Sequence, residues 1–301
     1  LLNVKFHWLF QFRGGFCPSL VFMSKRTRTS KIEKWIKEGR GSGIGSDYKP
    51  WLNIQDVSSL GRSTRLKGIK TNRQHEFLSD LEQNYFYLTE YSNYVIDIRE
   101  QFPLLPLEET IVIADELGIK HPVDPKTNEP IVMSTDFLLT VDKGEGIVEV
   151  ARTVKTKEDL FEKRVLEKFY IERVYWKRRS IDWGIVTKLQ IPKTFARNIG
   201  YIHEYHNLNL HDAFQNLNIQ QIEDLVFSFL QRLLEKNESI REIANSFDKE
   251  THMPLGSGIT LFYHLLARKI IQIDMSIPLD IEQRVQIQSV NEDKLKQVKY
   301  G

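Results

Sequence analysis

The feature that most constrains this fold is a pair of short apolar runs on either side of a turn. VMSTDFLLTV (132–141) and the stretch 146–154 flank DKGEG (142–146). Such runs around a Gly-containing turn predict a β-hairpin. Asp136 falls inside the first run. A carboxylate in a strand core is costly unless it is paired or holds a metal, so the fold must bring it a partner. Lys155 ends the second strand, nineteen residues after Asp136, and a hairpin brings such positions together. Thr153, two residues before Lys155, shares its face.

Around the hairpin the periodicity alternates. HEFLSDLEQNYFYLTEY (75–91) predicts a helix, with Leu78, Leu81, Tyr85 and Leu88 recurring at three- and four-residue steps. YVIDI (94–98) predicts a strand, and LEETIVIADELG (107–118) a helix closed by Gly118. After the hairpin come a helix over about 157–178 and a strand at 183–187. This order argues for an α/β domain. From about Leu189 the pattern turns helical, at about 219–236, 239–249 and 256–268, followed by a strand at 270–275. Three helices and a short strand region resemble a winged helix-turn-helix. The expected units are a catalytic domain over 23–188, the winged-helix-like domain over 189–280 and a polar tail over 281–301.

Net charge is +2, yet residues 24–74 hold thirteen Lys or Arg against four acids (Glu33, Glu38, Asp47, Asp56). A basic quarter in a near-neutral chain fits an anionic partner such as nucleic acid, or a solvated charged arm. The only cysteine is Cys17, so a disulfide framework and a cysteine zinc cage are excluded. No apolar run reaches the roughly 20 residues of a membrane span, and a cytoplasmic protein is expected. Residues 1–22 look unlike the rest of the chain. Met23 heads the basic SKRTRTS, and we expect 1–22 to be an over-extended reading frame or disordered. The glycine-rich GRGSGIGSDYKPW (39–51) follows no strand and opens no long helix, so it fails the context test for a nucleotide loop.

Glu82 lies at the edge of the apolar stripe of the 75–91 helix. Two carboxylates and a lysine meeting at a sheet edge suit metal-assisted phosphodiester cleavage. Carboxylates hold Mg²⁺, the ion supplies a nucleophile near neutral pH, and a lysine steadies developing negative charge. By spacing alone this signal is weak, and an ordinary charged surface hairpin is the better fit.

Longer motifs decide between them. EGRGSGIGSDYKPWL (38–52), GRSTR (61–65), KTNRQHEFLSDLE (70–82), DIREQFPLLP (97–106), LGIKHP (117–122), VMSTDF (132–137) and LEKFYIERVYW (166–176) closely resemble the TnsA family. TnsA proteins are endonuclease subunits of bacterial cut-and-paste transposition machinery. The resemblance runs through about residues 30–190 and is weaker beyond. It implies a restriction-endonuclease-like mixed sheet flanked by helices, followed by a mostly helical winged-helix domain. It implies Glu82, Asp136 and Lys155 as catalytic residues. It further implies a metal site of Glu82, Asp136 and the Val154 backbone carbonyl, with Mg²⁺ as cofactor, two ions, and Mn²⁺ as a substitute. The wider nuclease pattern has an acid or glutamine two before the lysine. Here it is Thr153, which either orders a metal-bound water or leaves that work to Glu149 or another acid. Implied partners are double-stranded DNA at transposon ends, a DDE-type transposase subunit (TnsB) and an AAA+ regulator (TnsC). Two rivals stay open: a non-catalytic DNA-binding assembly factor, and a stand-alone restriction or repair nuclease.

Arg62, Arg65, Lys70 and Arg73 precede the catalytic helix and suit phosphate positioning. His75 and His121 are expected in loop and DNA-facing roles. Arg99, Glu100 and Gln101 fit either a brace for the site or an exposed turn. The 256–268 helix, with His264, Arg268 and Lys269 near its end, fits docking of a protein partner or entry into a groove.

Overall fold

The computed structural model describes residues 30–57 and 62–298. The expectations for residues 1–22, with Cys17 and the start at Met23, lie outside the described residues. Ser30 caps the first helix, α1 (Lys31–Lys37), in a reciprocal capping box with Glu33. The glycine-rich segment then folds onto the sheet. Trp51 N–H donates to the Gln101 carbonyl at 3.1 Å, and a Cβ at Gly41 would lie 2.2 Å from Pro103. Its glycines thus serve close packing.

A small antiparallel pair, β1 (Thr64–Lys67) and β2 (Gln74–Phe77), precedes helix α2 (Asp80–Tyr91). The helix predicted from 75 therefore starts five residues late. His75 and Phe77 are buried strand residues, and Ser79 accepts the Glu82 N–H as the cap. Next come β3 (Val95–Pro103), α3 (Leu107–Glu116), the hairpin strands β4 (Ser134–Asp142) and β5 (Ile147–Val154), α4 (Lys163–Arg178) and β6 (Asp182–Val186). The sheet order is β3-β4-β5-β6. Its first three strands are antiparallel and β6 joins β5 in parallel, so the sheet is mixed, as predicted.

Each face of the sheet buries a different set of residues. Phe137, Leu139 and Val150 join Phe77 and Phe86 on the α2 side. Leu138 and Ala151 join Ile113 and Trp176 on the side of α3 and α4. This alternation is what places α2 and α4 on opposite sides of one hairpin.

The remainder is helical: α5 (Lys193–Ile202), α6 (Ile219–Glu235), α7 (Ile240–Thr251) and α8 (Ser257–Ala267). A two-residue strand, β7 (Ile271–Gln272), pairs with β8 (Ser289–Val290), and α9 (Glu292–Val298) follows. The stretch expected as a polar tail returns to the body instead. Ile281, Val285, Ile287 and Val290 pack against the main core. Helix α8 is internal: Leu261, Phe262, Tyr263, His264, Leu265 and Leu266 are all buried. That corrects the expectation of a helix free to enter a groove or dock a partner. The main core runs unbroken from Phe77 through Val154 to Met275, so the change of secondary structure near 189 is no break in packing. No helix among the described residues is long and apolar enough to cross a membrane.

Candidate active site

Three elements converge at one end of the hairpin. Helix α2 supplies Glu82 from its first turn. The Ser79 hydroxyl accepts the Glu82 N–H at 3.2 Å and donates to Glu82 Oε1 at 2.9 Å, while Leu78 N–H donates to Oε2 at 3.1 Å. The carboxylate is thereby folded back over the helix start and fixed. Gln101 Nε2 approaches Glu82 Oε2 at 3.5 Å, and Gln101 Oε1 accepts from Ser134 Oγ at 2.9 Å. Gln101 has φ +47°, rare for a residue with a side chain. That kink reverses the strand's alternation. Glu100 meets His75 on the α2 side, while Phe102, two residues on, packs on Trp176 of α4.

β4 supplies Asp136. Backbone pairing of β4 with β5 ends at Phe137 and Arg152. Beyond it, Asp136 Oδ2 accepts the Val154 N–H at 2.7 Å, so a side chain replaces the ladder where the strands part. Lys155 follows, with Nζ 3.9 Å from Asp136 Oδ2 and its side chain 34% exposed. Asp136 first, and Glu82 after it, raise the lysine's pKa against the opposing effect of burial. Burial, and then the charge of Asp136, push Glu82 up to about 7. The geometry thus brings together Glu82, Asp136 and Lys155.

The donor set fits a hard divalent cation. The two buried carboxylates are near enough for the charge of Asp136 to raise Glu82, and Lys155 opposes this less strongly. A bound cation would relieve the pressure that raises Glu82. Among the described residues no three His, Cys, Asp or Glu side chains form a cage. An ion here would complete its shell with backbone carbonyl, water or substrate oxygens, as Mg²⁺ does.

Thr153 is occupied elsewhere. Its hydroxyl donates to Glu172 Oε1 of α4 and accepts the Trp183 indole N–H at 3.3 Å. Of the alternatives left open for Thr153, ordering a metal-bound water would have to compete with these two bonds. Glu149 is no substitute, because it pairs with Arg99 opposite Thr140, four residues up the strand. Glu172 is the residue that sequence reasoning missed. It is buried, accepts from both Thr135 and Thr153, and burial pushes it up to about 7. Its signal was an acid on the apolar face of LEKFYIERVYW.

The basic residues divide. Arg62 is exposed, and Arg65 is half exposed in a 2.8 Å pair with Glu76. Arg73 and Lys70 are corrections. Arg73 is buried in an ion pair with Glu100 and donates to the Ile98 carbonyl at 2.8 Å. Lys70 Nζ donates to the Ser92 carbonyl at 2.8 Å and to that of Val95. The histidines also turn inward. His75 is fully buried between Glu100 (2.8 Å) and Thr71 (2.7 Å). His121 bonds Thr110 and the Pro122 carbonyl. Neither faces DNA. Glu100 and Gln101 do brace the site region, from within the core.

Comparison with known proteins agrees with this architecture. The family described as TnsA-like endonuclease N terminal matches residues 92–188, which include Asp136 and Lys155. The family described as TnsA endonuclease C terminal matches residues 190–275. The transposon Tn7 transposition protein TnsA of Escherichia coli is 47% identical over 174 residues, which is 58% of this chain and 62% of that protein. The chain therefore spans less than two thirds of that relative's length. With both family segments adjacent and in order over the mixed sheet and the helical region, the chain belongs to the TnsA endonuclease family.

Proposed function

We propose that this chain is the Mg²⁺-dependent endonuclease subunit of a transposase, hydrolysing the 5′ strand at each transposon end in the bacterial cytoplasm. The observation that carries the reading is the meeting of Glu82, Asp136 and Lys155 where the hairpin strands part. Glu82, Asp136 and the Val154 carbonyl are the groups that would hold the metal, two ions in this reading, with Mn²⁺ as a substitute. When bound, the ion supplies charge neutralisation at the scissile phosphate and a more acidic water. The Asp136 carboxylate is kept in place by the Val154 N–H, and Glu82 by Ser79 and Leu78. The Lys155 ammonium orients the attacking water and balances the charge that builds on the phosphate oxygens. Arg62 and Arg65 are left to touch the DNA backbone. The partners in this reading are duplex DNA at the transposon ends, a DDE-type transposase of the TnsB kind that cuts the other strand, and a TnsC-type AAA+ regulator.

A second reading, a non-catalytic DNA-binding assembly factor, draws on the Thr153 hydroxyl being tied to Glu172. One experiment separates the two. A plasmid carrying the native ends is incubated with Mg²⁺, the cognate transposase and the regulator, and 5′ breaks are mapped for wild type and Asp136→Ala. Cutting at the ends by wild type alone, with circular dichroism unchanged in the variant, supports the nuclease. Assembly by both proteins without a 5′ cut supports the assembly factor.

A further inference from the structure

A second charged site lies away from the hairpin. A cavity of about 220 Å³ opens where the β1–β2 turn and the end of α2 meet α5, the end of α8 and α9. Its wall includes Lys70, Arg268, Lys269 and Lys294, with Glu90 as the one acid among its lining residues. Glu82, Asp136 and Lys155 take no part in it.

These four cations outnumber the one carboxylate beside them, Glu90, whose charge acts on Lys70 and Lys269. None of the four lies within 4.0 Å of a carboxylate oxygen among the described residues. Lys269 Nζ donates to the Tyr91 carbonyl and to Asn93 Oδ1, and Lys70 to backbone carbonyls. Arg268 and Lys294 make no side-chain hydrogen bond among the described residues. Glu90 is engaged through one oxygen only, its Oε1 accepting the N–H groups of Ile69 and Lys70. Glu90 Oε2 and His203 Nε2 are buried at the cavity with no hydrogen-bond partner among the described residues. Gathering like charges in a half-buried space is unfavourable unless an anion joins them. Burial first, and then the fields of Lys294 and Lys70, pull Lys269 down to about 8.

We propose that this cavity binds a compact, multiply charged phosphate, either a phosphate monoester or a pyrophosphate group. A tetrahedral group with several anionic oxygens meets several cations at once, and the Arg268 fork suits it. A carboxylate has too few oxygens. A duplex presents singly charged phosphodiesters on a convex rod, whereas this site is a pocket backed by Ile199, Ile202 and Ala267. Lys70 comes from the segment before α2, and Arg268, Lys269 and Lys294 come from the C-terminal region. The ligand would therefore clamp the sheet-bearing part to the helical part. Such binding does not depend on the nuclease reading.

The test is calorimetric titration of the full chain with inorganic pyrophosphate, with chelator present and no divalent metal. Wild type is compared with Arg268→Ala/Lys294→Ala and with Lys188→Ala/Lys249→Ala, which removes the same charge from exposed positions elsewhere. Wild type is expected to bind and to melt higher with pyrophosphate. The cavity variant is expected to bind at least about tenfold more weakly, and the control unchanged. Circular dichroism checks the fold of the double variant, and Lys294→Gln alone is read the same way should it fail to fold. Equal weakening in both double variants, or no binding by wild type, overturns the proposal. So does loss of affinity for an end-containing duplex in the cavity variant when pyrophosphate leaves wild type unbound, because the cations would then be a DNA-backbone patch.

Discussion

Thr153 Oγ1 donates a hydrogen bond to Glu172 Oε1, tying the strand that ends in Lys155 to the helix behind it. Thr135 donates to the same oxygen at 2.7 Å. Thr153→Val keeps the shape of the side chain and deletes the donor, leaving Glu172 less satisfied. The expected loss is about 1–3 kcal/mol in thermal denaturation. Strand cutting, measured on end-containing plasmid at a temperature where the variant is folded, is expected to persist. Complete loss of cutting by a folded variant would return Thr153 to the metal.

Glu172 also sets a pH dependence. Burial pushes it up to about 7, against hydrogen bonds from Thr135 and Thr153 that pull it down. The native state thus keeps a proton that the unfolded chain releases above its ordinary 4.5. Its contribution is full below that value and is lost as pH rises through about 7. The integrated change is on the order of 3 kcal/mol. Glu172→Gln is expected to flatten this fall, checked by urea denaturation at about pH 5 and about pH 8. Equal slopes for the two proteins would refute it.

Glu100 behaves in the opposite sense. Burial alone would raise its pKa, but hydrogen bonds from Arg73 and the charge of His75 hold it down at about 2. The stability it contributes is present above the ordinary 4.5 and is lost as pH falls towards about 2. Glu100→Gln leaves Arg73 buried without a counter-charge, and we expect a loss of about 3–5 kcal/mol at neutral pH. Acid titration of the wild type followed by circular dichroism should show the matching loss below about pH 4.5.

Gly258 lets α8 rest against α7, since a Cβ there would lie 2.7 Å from the Ala244 Cα. Gly258→Ala overpacks that contact and is expected to cost about 1–3 kcal/mol. Melting temperature should fall, while cutting by the folded fraction stays near wild type.

Much of the fold and site was legible in the sequence, for local reasons. Ser30 with Glu33 and Ser239 with Glu242 signalled helix starts through capping chemistry that needs only neighbouring residues. Gly118 marked the end of α3 and has φ +65°. The hairpin was readable from its turn, and so was the approach of Asp136 to Lys155. Failures came where distant partners decide. The helical pattern over 75–91 hid a strand, because His75 and Phe77 answer to Glu100 and Phe137 of the four-stranded sheet. Arg73 and Lys70 look like surface cations in sequence, and only the fold supplies Glu100 and the carbonyls at the end of α2. The register that hands Thr153 to Glu172 depends on how α4 crosses the sheet, which no spacing along β5 reveals.

The shared core has a consequence for how the protein is made. Phe77, Phe137 and Val154 share one core with Phe229, Leu261 and Ile271, all of which lie 75 or more residues beyond Val154 in the chain. A nascent chain that has just delivered Lys155 lacks the helices that seal that apolar surface. The strands therefore gain their full support only after translation passes the α8 segment. The strands that carry Asp136 and Lys155 thus draw part of their packing from the last-made third of the chain.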